Sequence, residues 1–348
     1  MRILIVGNMG YVGPMLVREL RARKPDATLI GLDAGFFAHC LTTPAAVPEV
    51  LLDQQIFADV RGVTALPQCD AVVYLAALSN DVLGSLNEDV TLAINHRAAI
   101  RFAELARDAG ARAFVFASSC SVYGFAEDTP RTESSEVNPL TAYARSKILA
   151  ERDLQPLATS DFAVTCLRFA TACGMSDRLR LDLVLNDFVA AALTSGRIQI
   201  LSDGTPWRPL IDVKDMARAM AWAIDREPAA GGAFLLANAG SDRWNFRVRE
   251  LAEAVAGQIP GTAIDINTAA APDRRSYRVD FSLFRELAAG DQPRVEIEQA
   301  VREIVAGLES IQFRDADFRQ SAYMRIRTLN RLRAEGRLNE DLTWKRAL

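Results

Sequence analysis

The sequence contains few of the residues that build metal sites or disulfide frameworks. It has two histidines and five cysteines, and the cysteines form no Cys-x-x-Cys pair. Structural zinc sites need cysteines or histidines at ligand spacing, and an even number of cysteines is typical of disulfide scaffolds. We therefore predict no metal site and reduced thiols, as in a cytoplasmic protein.

Net charge and long apolar runs are also scarce. The 40 Lys and Arg residues nearly balance the 44 Asp and Glu residues, which leaves a formal charge of −4 over 348 residues. Such a balance gives no general attraction to nucleic acid or to an anionic membrane. No stretch reaches the ~18 to 20 apolar residues of a membrane span, and the apolar run at the N-terminus is too short for a signal peptide. We therefore expect a cytoplasmic protein with neither nucleic acid nor membrane as a partner.

Short apolar runs alternate with longer segments of helical period through the first half of the chain. The runs predict strands at 3–6, 28–33, 71–76, 113–117 and 162–167. Between them the apolar spacing predicts helices at 11–23, 88–109 and 143–154. Further helices are predicted at 214–226, 246–258 and 296–309. This alternation is typical of an α/β fold with a doubly wound parallel sheet.

A glycine-rich turn follows the first predicted strand and leads directly into a helix. Its pattern is Gly-x-x-Gly-x-x-Gly, formed by Gly7, Gly10 and Gly13. Such glycines let the backbone approach a pyrophosphate, and the helix N-terminus offers free amides. Asp33 ends the second strand about 20 residues later, where a carboxylate binds an adenosine ribose. No Arg or Lys occurs at 34–37, so the pattern favours NAD over NADP.

Two further motifs place hydroxyl and amino groups near this turn. Tyr143 and Lys147 are four residues apart and so lie on one face of a predicted helix. Ser119 follows a predicted strand, at the edge where a doubly wound sheet binds its ligands.

Together these motifs resemble the extended short-chain dehydrogenases/reductases, a family of nucleotide-sugar epimerases, dehydratases, decarboxylases and ketoreductases. The matching residues are Gly7, Gly10, Gly13, Asp33, Asp59-Val60, Leu75-Ala76-Ala77, Asn95, Ser119 before Val122-Tyr123-Gly124, Tyr143 with Lys147, and Arg208 within 204–215. The resemblance covers most of the chain. It implies a Rossmann fold with a smaller, interleaved C-terminal substrate lobe.

The resemblance also implies a role for individual residues. The catalytic group would be Tyr143, Lys147 and Ser119, with the Lys147 ammonium helping to lower the pKa of the Tyr143 phenol by about three units. The residues implied to bind the cofactor are Gly7, Gly10, Tyr11, Val12, Gly13, Asp33, Asp59, Val60, Leu75, Ala76, Ala77, Asn95, Ser118, Tyr143 and Lys147. Those implied to bind the substrate are Ser79, Ser119, Ser121, Thr171, Asn186, Arg208 and Arg275, the two arginines through the diphosphate.

Departures from the family pattern reduce the number of reactions that the resemblance implies. The dehydratases and decarboxylases carry acidic residues before Val-Tyr-Gly, where this chain has Cys120 and Ser121. Elimination needs a second acid or base, so we favour an NAD-dependent epimerase acting at C4 through a transient 4-keto sugar. A 4-ketoreductase of a nucleotide deoxysugar, a non-catalytic NAD-sensing protein and an oxidoreductase of another alcohol remain alternatives. Thr171 and Asp212 replace the family's usual Asn and His, which leaves the sugar and the nucleotide open.

The expected organisation follows from the same comparison of motifs. Residues 1–167 and 208–240 would form the dinucleotide-binding domain, and residues 168–207 and 241–313 the substrate lobe. The Arg-rich residues 314–348, which we call the C-terminal extension, would be an amphipathic segment packed on its own body, with a helical cap or a partner contact as alternatives. The resemblance further implies a homodimer formed through the predicted helices 88–109 and 143–154.

Overall fold

A parallel sheet forms the centre of the molecule. The computed structural model describes residues 1–42, 47–85, 87–125, 129–270 and 276–345. Its strands are β1 (Arg2–Val6), β2 (Thr28–Asp33), β3 (Gln54–Phe57), β4 (Ala71–Tyr74), β5 (Ala113–Ser119), β6 (Ala163–Phe169), β7 (Thr171–Cys173), β8 (Arg197–Ile200), β9 (Trp207–Asp212), β10 (Phe234–Ala239), β11 (Asn245–Arg247) and β12 (Ala263–Ile266). Seven of them form the main sheet in the order β10-β6-β5-β4-β1-β2-β3. All pairings within this sheet are parallel.

Helices cover both faces of the sheet. The helices of the described chain are α1 (Gly13–Arg23), α2 (Asp81–Gly84), α3 (Glu88–Leu92), α4 (Ala98–Asp108), α5 (Ala142–Leu154), α6 (Val184–Ser195), α7 (Val213–Asp225), α8 (Val248–Gln258), α9 (Ser282–Leu287), α10 (Ile297–Ser310) and α11 (Arg325–Ala334). A π-helical stretch, Ala93–Arg97, joins α3 to α4. The predicted α/β fold with a doubly wound parallel sheet is therefore confirmed.

Successive side chains along the buried strands point alternately to the two faces of the main sheet. In β1, Ile3 and Ile5 pack with α1 and α7 on one face, whereas Leu4 and Val6 pack with α4 and α5 on the other. All four side chains are fully buried, because both faces of a doubly wound sheet are covered. The strand order reverses between β1 and β4, so a crevice opens at their carboxyl ends.

Strand β3 was missed by the sequence analysis. It reads Gln-Gln-Ile-Phe, and Phe57 is largely exposed. Because β3 is an edge strand with one paired neighbour, it needs no continuous apolar run. Its polar sequence therefore carries little strand signal.

A third apolar cluster lies beside the sheet. Helices α6, α8 and α10 pack around it with the small sheets β11-β9-β7 and β12-β8. This cluster corresponds to the smaller lobe that the sequence predicts. The assignment of particular residue ranges to two domains stays a prediction.

The C-terminal extension packs against the main sheet. Leu329, Leu332, Leu338 and Leu342 are buried in the same cluster as Leu4 and the other residues of that face. Burial of one leucine contributes about 1.5 to 3 kcal/mol, so the extension is firmly attached. Among the described residues, no helix has both the length and the apolar character needed to cross a membrane.

Candidate functional site

The glycine-rich turn brings the backbone of β1 close to that of β4. Gly7 has a φ of +89°, and a Cβ there would lie 2.6 Å from the Ala76 nitrogen. A Cβ on Gly13 would lie 1.9 Å from the Asn8 oxygen. Only glycine fits either position, and α1 therefore begins directly against the turn. Tyr11 and Val12, which directly precede α1, line the crevice at the carboxyl end of the sheet, so the start of this helix lies beside it.

Asp33 lies at the carboxyl end of β2, beside this turn. Its two carboxylate oxygens accept hydrogen bonds from the backbone nitrogens of Met9, at 3.0 Å, and Gly35, at 2.7 Å. Burial raises the pKa of Asp33 above its ordinary value, and these two hydrogen bonds oppose the rise. Each oxygen keeps a second lone pair, so the group can still accept hydrogen bonds from a ribose.

A cavity of about 400 Å³ runs along the carboxyl ends of the strands. It contains most of the side chains that the sequence assigns to a site. The predicted residues that line it are Gly7, Gly10, Tyr11, Val12, Asp33, Asp59, Val60, Leu75, Ala76, Ala77, Ser79, Ser118, Ser119, Ser121, Tyr143, Thr171 and Arg208. Five predicted residues are not among its described lining: Gly13, Asn95, Lys147 and Asn186 lie behind the wall, and Arg275 falls outside the described residues.

Tyr143 and Lys147 both lie on α5. Tyr143 lines the cavity, whereas Lys147 is buried beside β5 and is not part of the described lining. The Thr141 hydroxyl accepts a hydrogen bond from the Ala144 nitrogen at 3.2 Å and caps the helix directly before Tyr143. Lys147 is buried, and its Nζ donates to the Ala117 oxygen of β5 at 2.6 Å. That nitrogen lies 5.6 Å from the centre of the Tyr143 ring. Lys147 therefore supports the phenol from behind.

The pKa values of this pair differ from the expectation. Burial raises the pKa of Tyr143, while a hydrogen bond with the Ser119 hydroxyl and the charge of Arg180 oppose the rise. Burial lowers the pKa of Lys147 to about 8. Withdrawal of the phenol from water thus acts against the acidification that is expected from Lys147.

Arg180 is a cavity residue that the sequence analysis missed. Its Nη1 donates to the Ser79 hydroxyl at 2.9 Å, and its Nε and Nη2 bind the Asp182 carboxylate at 2.9 and 2.7 Å. The segment that holds it connects β7 to α6, where Leu179 and Leu181 are fully buried. The sequence signal that could have indicated Arg180 is the alternation of leucines with an Arg-x-Asp pair at 179–182.

Asn186 holds this segment in place. Its Oδ1 accepts a hydrogen bond from the Gly174 nitrogen at 3.0 Å, and its Nδ2 donates to the Arg180 oxygen at 2.8 Å and the Tyr11 hydroxyl at 3.2 Å. Its side chain is fully buried. In the protein alone, this amide positions Gly174, Tyr11 and Arg180, and its predicted role in substrate binding stays a prediction.

Asn95 is likewise a bracing residue. Its side chain accepts a hydrogen bond from the Leu78 nitrogen at 2.9 Å and donates to the Ser146 hydroxyl at 3.1 Å. It lies in the π-helical stretch between α3 and α4. Asn95 therefore ties the segment after β4 to α5, the helix of Tyr143.

A buried ion pair lies beneath β5. The Arg168 guanidinium contacts the Glu151 carboxylate at 2.7 and 3.0 Å, and both side chains are almost fully buried. Glu151 also accepts a hydrogen bond from the Ser118 hydroxyl, and Arg168 donates to the Tyr123 hydroxyl at 3.0 Å. Ser118 thus reaches the cavity with its hydroxyl already engaged.

The two positions before Val-Tyr-Gly have different environments. Cys120 is buried away from the cavity, its Sγ donates to the Arg168 oxygen at 3.1 Å, and burial raises its pKa. Ser121 lines the cavity, and its Oγ has no hydrogen-bond partner among the described residues. A carboxylate that the sequence analysis did not consider, Asp81, also lines the cavity and accepts a hydrogen bond from Thr141 at 2.7 Å.

Comparison with known proteins agrees with this geometry. The model of the NAD dependent epimerase/dehydratase family matches residues 3–237. A UDP-glucose 4-epimerase of Mycolicibacterium smegmatis is 28% identical over 318 residues, which cover 88% of this chain and 97% of that protein. A dTDP-glucose 4,6-dehydratase of Streptomyces griseus is 27% identical and covers 87% and 93% of the two chains.

A solved structure supports the same relationship. MoeE5 in complex with UDP-glucose and NAD superposes with a TM-score of 0.71 at 25% identity, over 89% of this chain and 99% of that chain. The family model spans more than half of the sequence and includes the glycine turn, Asp33, Ser119 and the Tyr143/Lys147 pair. The chain therefore belongs to the NAD dependent epimerase/dehydratase family.

Proposed function

We propose that this protein is an NAD-dependent nucleotide-sugar epimerase that acts at C4 through a transient 4-keto sugar. The observation that carries the proposal is one cavity that contains the glycine turn, Asp33 and the hydroxyls of Ser119 and Tyr143. The UDP-glucose 4-epimerases among the relatives support this choice of reaction. Cys120 and Ser121 supply no acid at the position used by dehydratases and decarboxylases, which favours epimerisation over elimination.

The residues of the cavity fit NAD. The glycine turn lines the cavity at the start of α1, where a pyrophosphate would bind, and Asp33 retains lone pairs for the adenosine ribose. A carboxylate at this position disfavours a 2′-phosphate, in agreement with the preference for NAD. When bound, NAD supplies reversible hydride exchange with a carbon of the sugar.

The protein's own groups hold the reacting oxygen and move its proton. Ser119 and Tyr143 bind the C4 hydroxyl together, and Tyr143 accepts its proton as the ketone forms and returns it when the alcohol is restored. Lys147 carries a positive charge below its pKa of about 8 and stabilises the tyrosinate from behind. The positive charge of Arg180, which lines the cavity, likewise favours the tyrosinate by lowering the pKa of Tyr143.

The substrate is proposed to occupy the part of the cavity near β9. Arg208 lines this part and suits a diphosphate, while Thr171, Ser79 and Ser121 supply hydroxyl groups. Arg275 keeps its predicted diphosphate role as a proposal. We also propose a cytoplasmic homodimer formed through the helices that include α4 and α5.

A direct test uses UDP-glucose and UDP-galactose as substrates with NAD. We expect interconversion of the two sugars by NMR, with no lasting change in the near-ultraviolet absorbance of NADH. Replacing Tyr143→Phe should abolish turnover while NAD binding is retained. Tyr323→Phe is the matched control, because that hydroxyl makes one long contact with the Leu41 oxygen and does not line the cavity within the described chain.

The other outcomes separate the alternatives. Lasting oxidation of NADH in the presence of a keto sugar would show that the protein is a 4-ketoreductase and not an epimerase. Binding of NAD without turnover of any nucleotide sugar would indicate a sensing protein. If Arg208→Ala left the affinity for every nucleotide sugar unchanged, the substrate would be another alcohol.

A further inference from the structure

A buried arginine from the C-terminal extension forms part of the cavity wall. Arg325 is the first residue of α11, about 290 positions after Asp33, yet both line the same cavity. Its side chain is 1% exposed. The extension therefore contributes a charged group to the cavity in which we propose that NAD binds.

One nitrogen of Arg325 has no hydrogen-bond partner among the described residues. Its Nη2 donates to the Arg178 oxygen at 2.7 Å, and the guanidinium lies 4.6 Å from the centre of the Phe37 ring. Its Nη1 is buried without a hydrogen-bond partner in the described part of the molecule. A buried guanidinium nitrogen left in this state is costly, so it calls for an acceptor.

The neighbouring arginines differ from Arg325 in this respect. Arg178 pairs with Glu49 at 2.7 Å, and Arg180 pairs with Asp182 at 2.7 Å. No carboxylate lies within ion-pair distance of Arg325 among the residues that the structure describes. Burial and the charges of Arg180 and Arg178 lower the pKa of Arg325 to about 10, against attraction from Cys40 and Asp182. An anion in the cavity would compensate this charge.

The rest of the extension contacts the end of the cavity where Asp33 lies. The Trp344 indole donates to the Ala34 oxygen at 2.6 Å, and its ring lies 5.6 Å from that of Phe36. Arg61, which pairs with Asp59, donates to the Asp341 oxygen at 2.6 Å. Ala34, Phe36 and Asp59 all line the cavity. The extension thus covers the loop that follows β2.

We propose that Arg325 binds a pyrophosphate oxygen of NAD and that the C-terminal extension straps the cofactor in place. This inference rests on the proposed function, which puts NAD in the cavity. The two phosphates are the anionic groups of NAD, and the start of α1, the natural phosphate site, lines the same cavity through Tyr11 and Val12. A retained cofactor suits an epimerase, since its NAD is regenerated in every turnover.

The test measures NAD affinity of the full-length protein by calorimetry. Arg325→Gln removes the charge, Arg325→Lys keeps a charge without the guanidinium fork, and Arg327→Gln is the control on the same helix. Arg327 is exposed and binds the Arg319 oxygen away from the cavity. We expect Arg325→Gln to weaken NAD binding about 10- to 100-fold, the range for one charge-assisted hydrogen bond. The NAD affinity of Arg325→Lys should lie between those of Arg325→Gln and the parent protein. Arg327→Gln should bind NAD as tightly as the parent protein does.

Two ligands show which part of the cofactor is involved. ADP-ribose carries the pyrophosphate and should lose affinity for Arg325→Gln by the same factor as NAD. Adenosine carries none and should bind both proteins equally. An equal loss of affinity for adenosine would overturn the proposal, because it would reveal a distorted site. A loss of affinity far larger for NADP than for NAD would also overturn it, because it would show that Arg325 binds the 2′-phosphate and not the pyrophosphate.

Failure of this inference is distinct from failure of the proposed function. If the parent protein binds NAD and Arg325→Gln binds it equally well, the strap is refuted while the epimerase stands. If the parent protein binds no NAD, both are refuted. Should Arg325→Gln not fold, Arg325→Lys decides, because an affinity for NAD and for ADP-ribose equal to that of the parent protein would refute the phosphate contact.

Discussion

Asp212 makes the stability of this protein depend on pH in an unusual direction. It ends β9, caps α7 by accepting a hydrogen bond from the Lys214 nitrogen at 2.8 Å, and is 1% exposed. Its other oxygen, Oδ2, has no partner among the described residues and abuts Gly174. Burial raises its pKa to about 7, and the charges of Asp215 and Glu303 add to the rise.

The sign follows from proton linkage. The pKa of Asp212 is higher in the folded protein than its unfolded value of ~3.9, so the folded state binds more protons between these two values. The free energy of unfolding therefore falls as the pH rises from about 4 to about 7, and stays low above that. A difference of about three pKa units corresponds to about 4 kcal/mol in total.

Asp212→Asn removes this titration while keeping an oxygen for the helix cap. We expect the stability difference, variant minus parent, to grow by about 3 kcal/mol between pH 5 and pH 8. The new buried amide adds a cost of about 1 to 3 kcal/mol that does not depend on pH, so the change with pH is the decisive quantity. Urea unfolding at several pH values measures it.

The matched control is Asp215→Asn. Asp215 accepts hydrogen bonds from the Arg294 and Val295 nitrogens and pairs with Arg218, so its carboxylate is satisfied. Its replacement should lower stability at every pH. A difference between the Asp212 variant and the parent that is flat from pH 5 to pH 8 would refute the reasoning.

Two further predictions concern the catalytic face. Arg168→Met should lower the free energy of unfolding by about 3 to 5 kcal/mol in urea titrations, because Glu151 would be left buried without its partner. The double variant Arg168→Met/Glu151→Gln should recover part of this loss, and no recovery would argue against the ion pair as the cause. Because the pKa of Lys147 is about 8, kcat/KM should fall as the pH rises above that value. A profile that stays flat well beyond it would show that the charge of Lys147 is not needed.

Local patterns in the sequence were sufficient for five strands of the main sheet and for the glycine turn. Strands β1, β2 and β4 to β6 are buried on both faces, so each is mainly apolar, and Gly7 and Gly13 stand where a Cβ would collide with backbone. The Tyr143/Lys147 spacing likewise fixed one face of α5. These signals depend on residues within a few positions of one another, and they can therefore be detected without coordinates.

Contacts between distant segments required the tertiary structure. Arg180 and Arg325 reach the cavity from a connecting segment and from the C-terminal extension, and neither belongs to a motif around the glycine turn. Asn186 was assigned to the substrate, whereas its amide is used within the protein.

The sequence by itself determined the fold class and the family. Only the tertiary structure decided which cations face the cavity and how far the Tyr143 phenol is withdrawn from water, because both depend on contacts between distant segments. Burial is set by the packing of all elements together, and no short stretch of sequence encodes it.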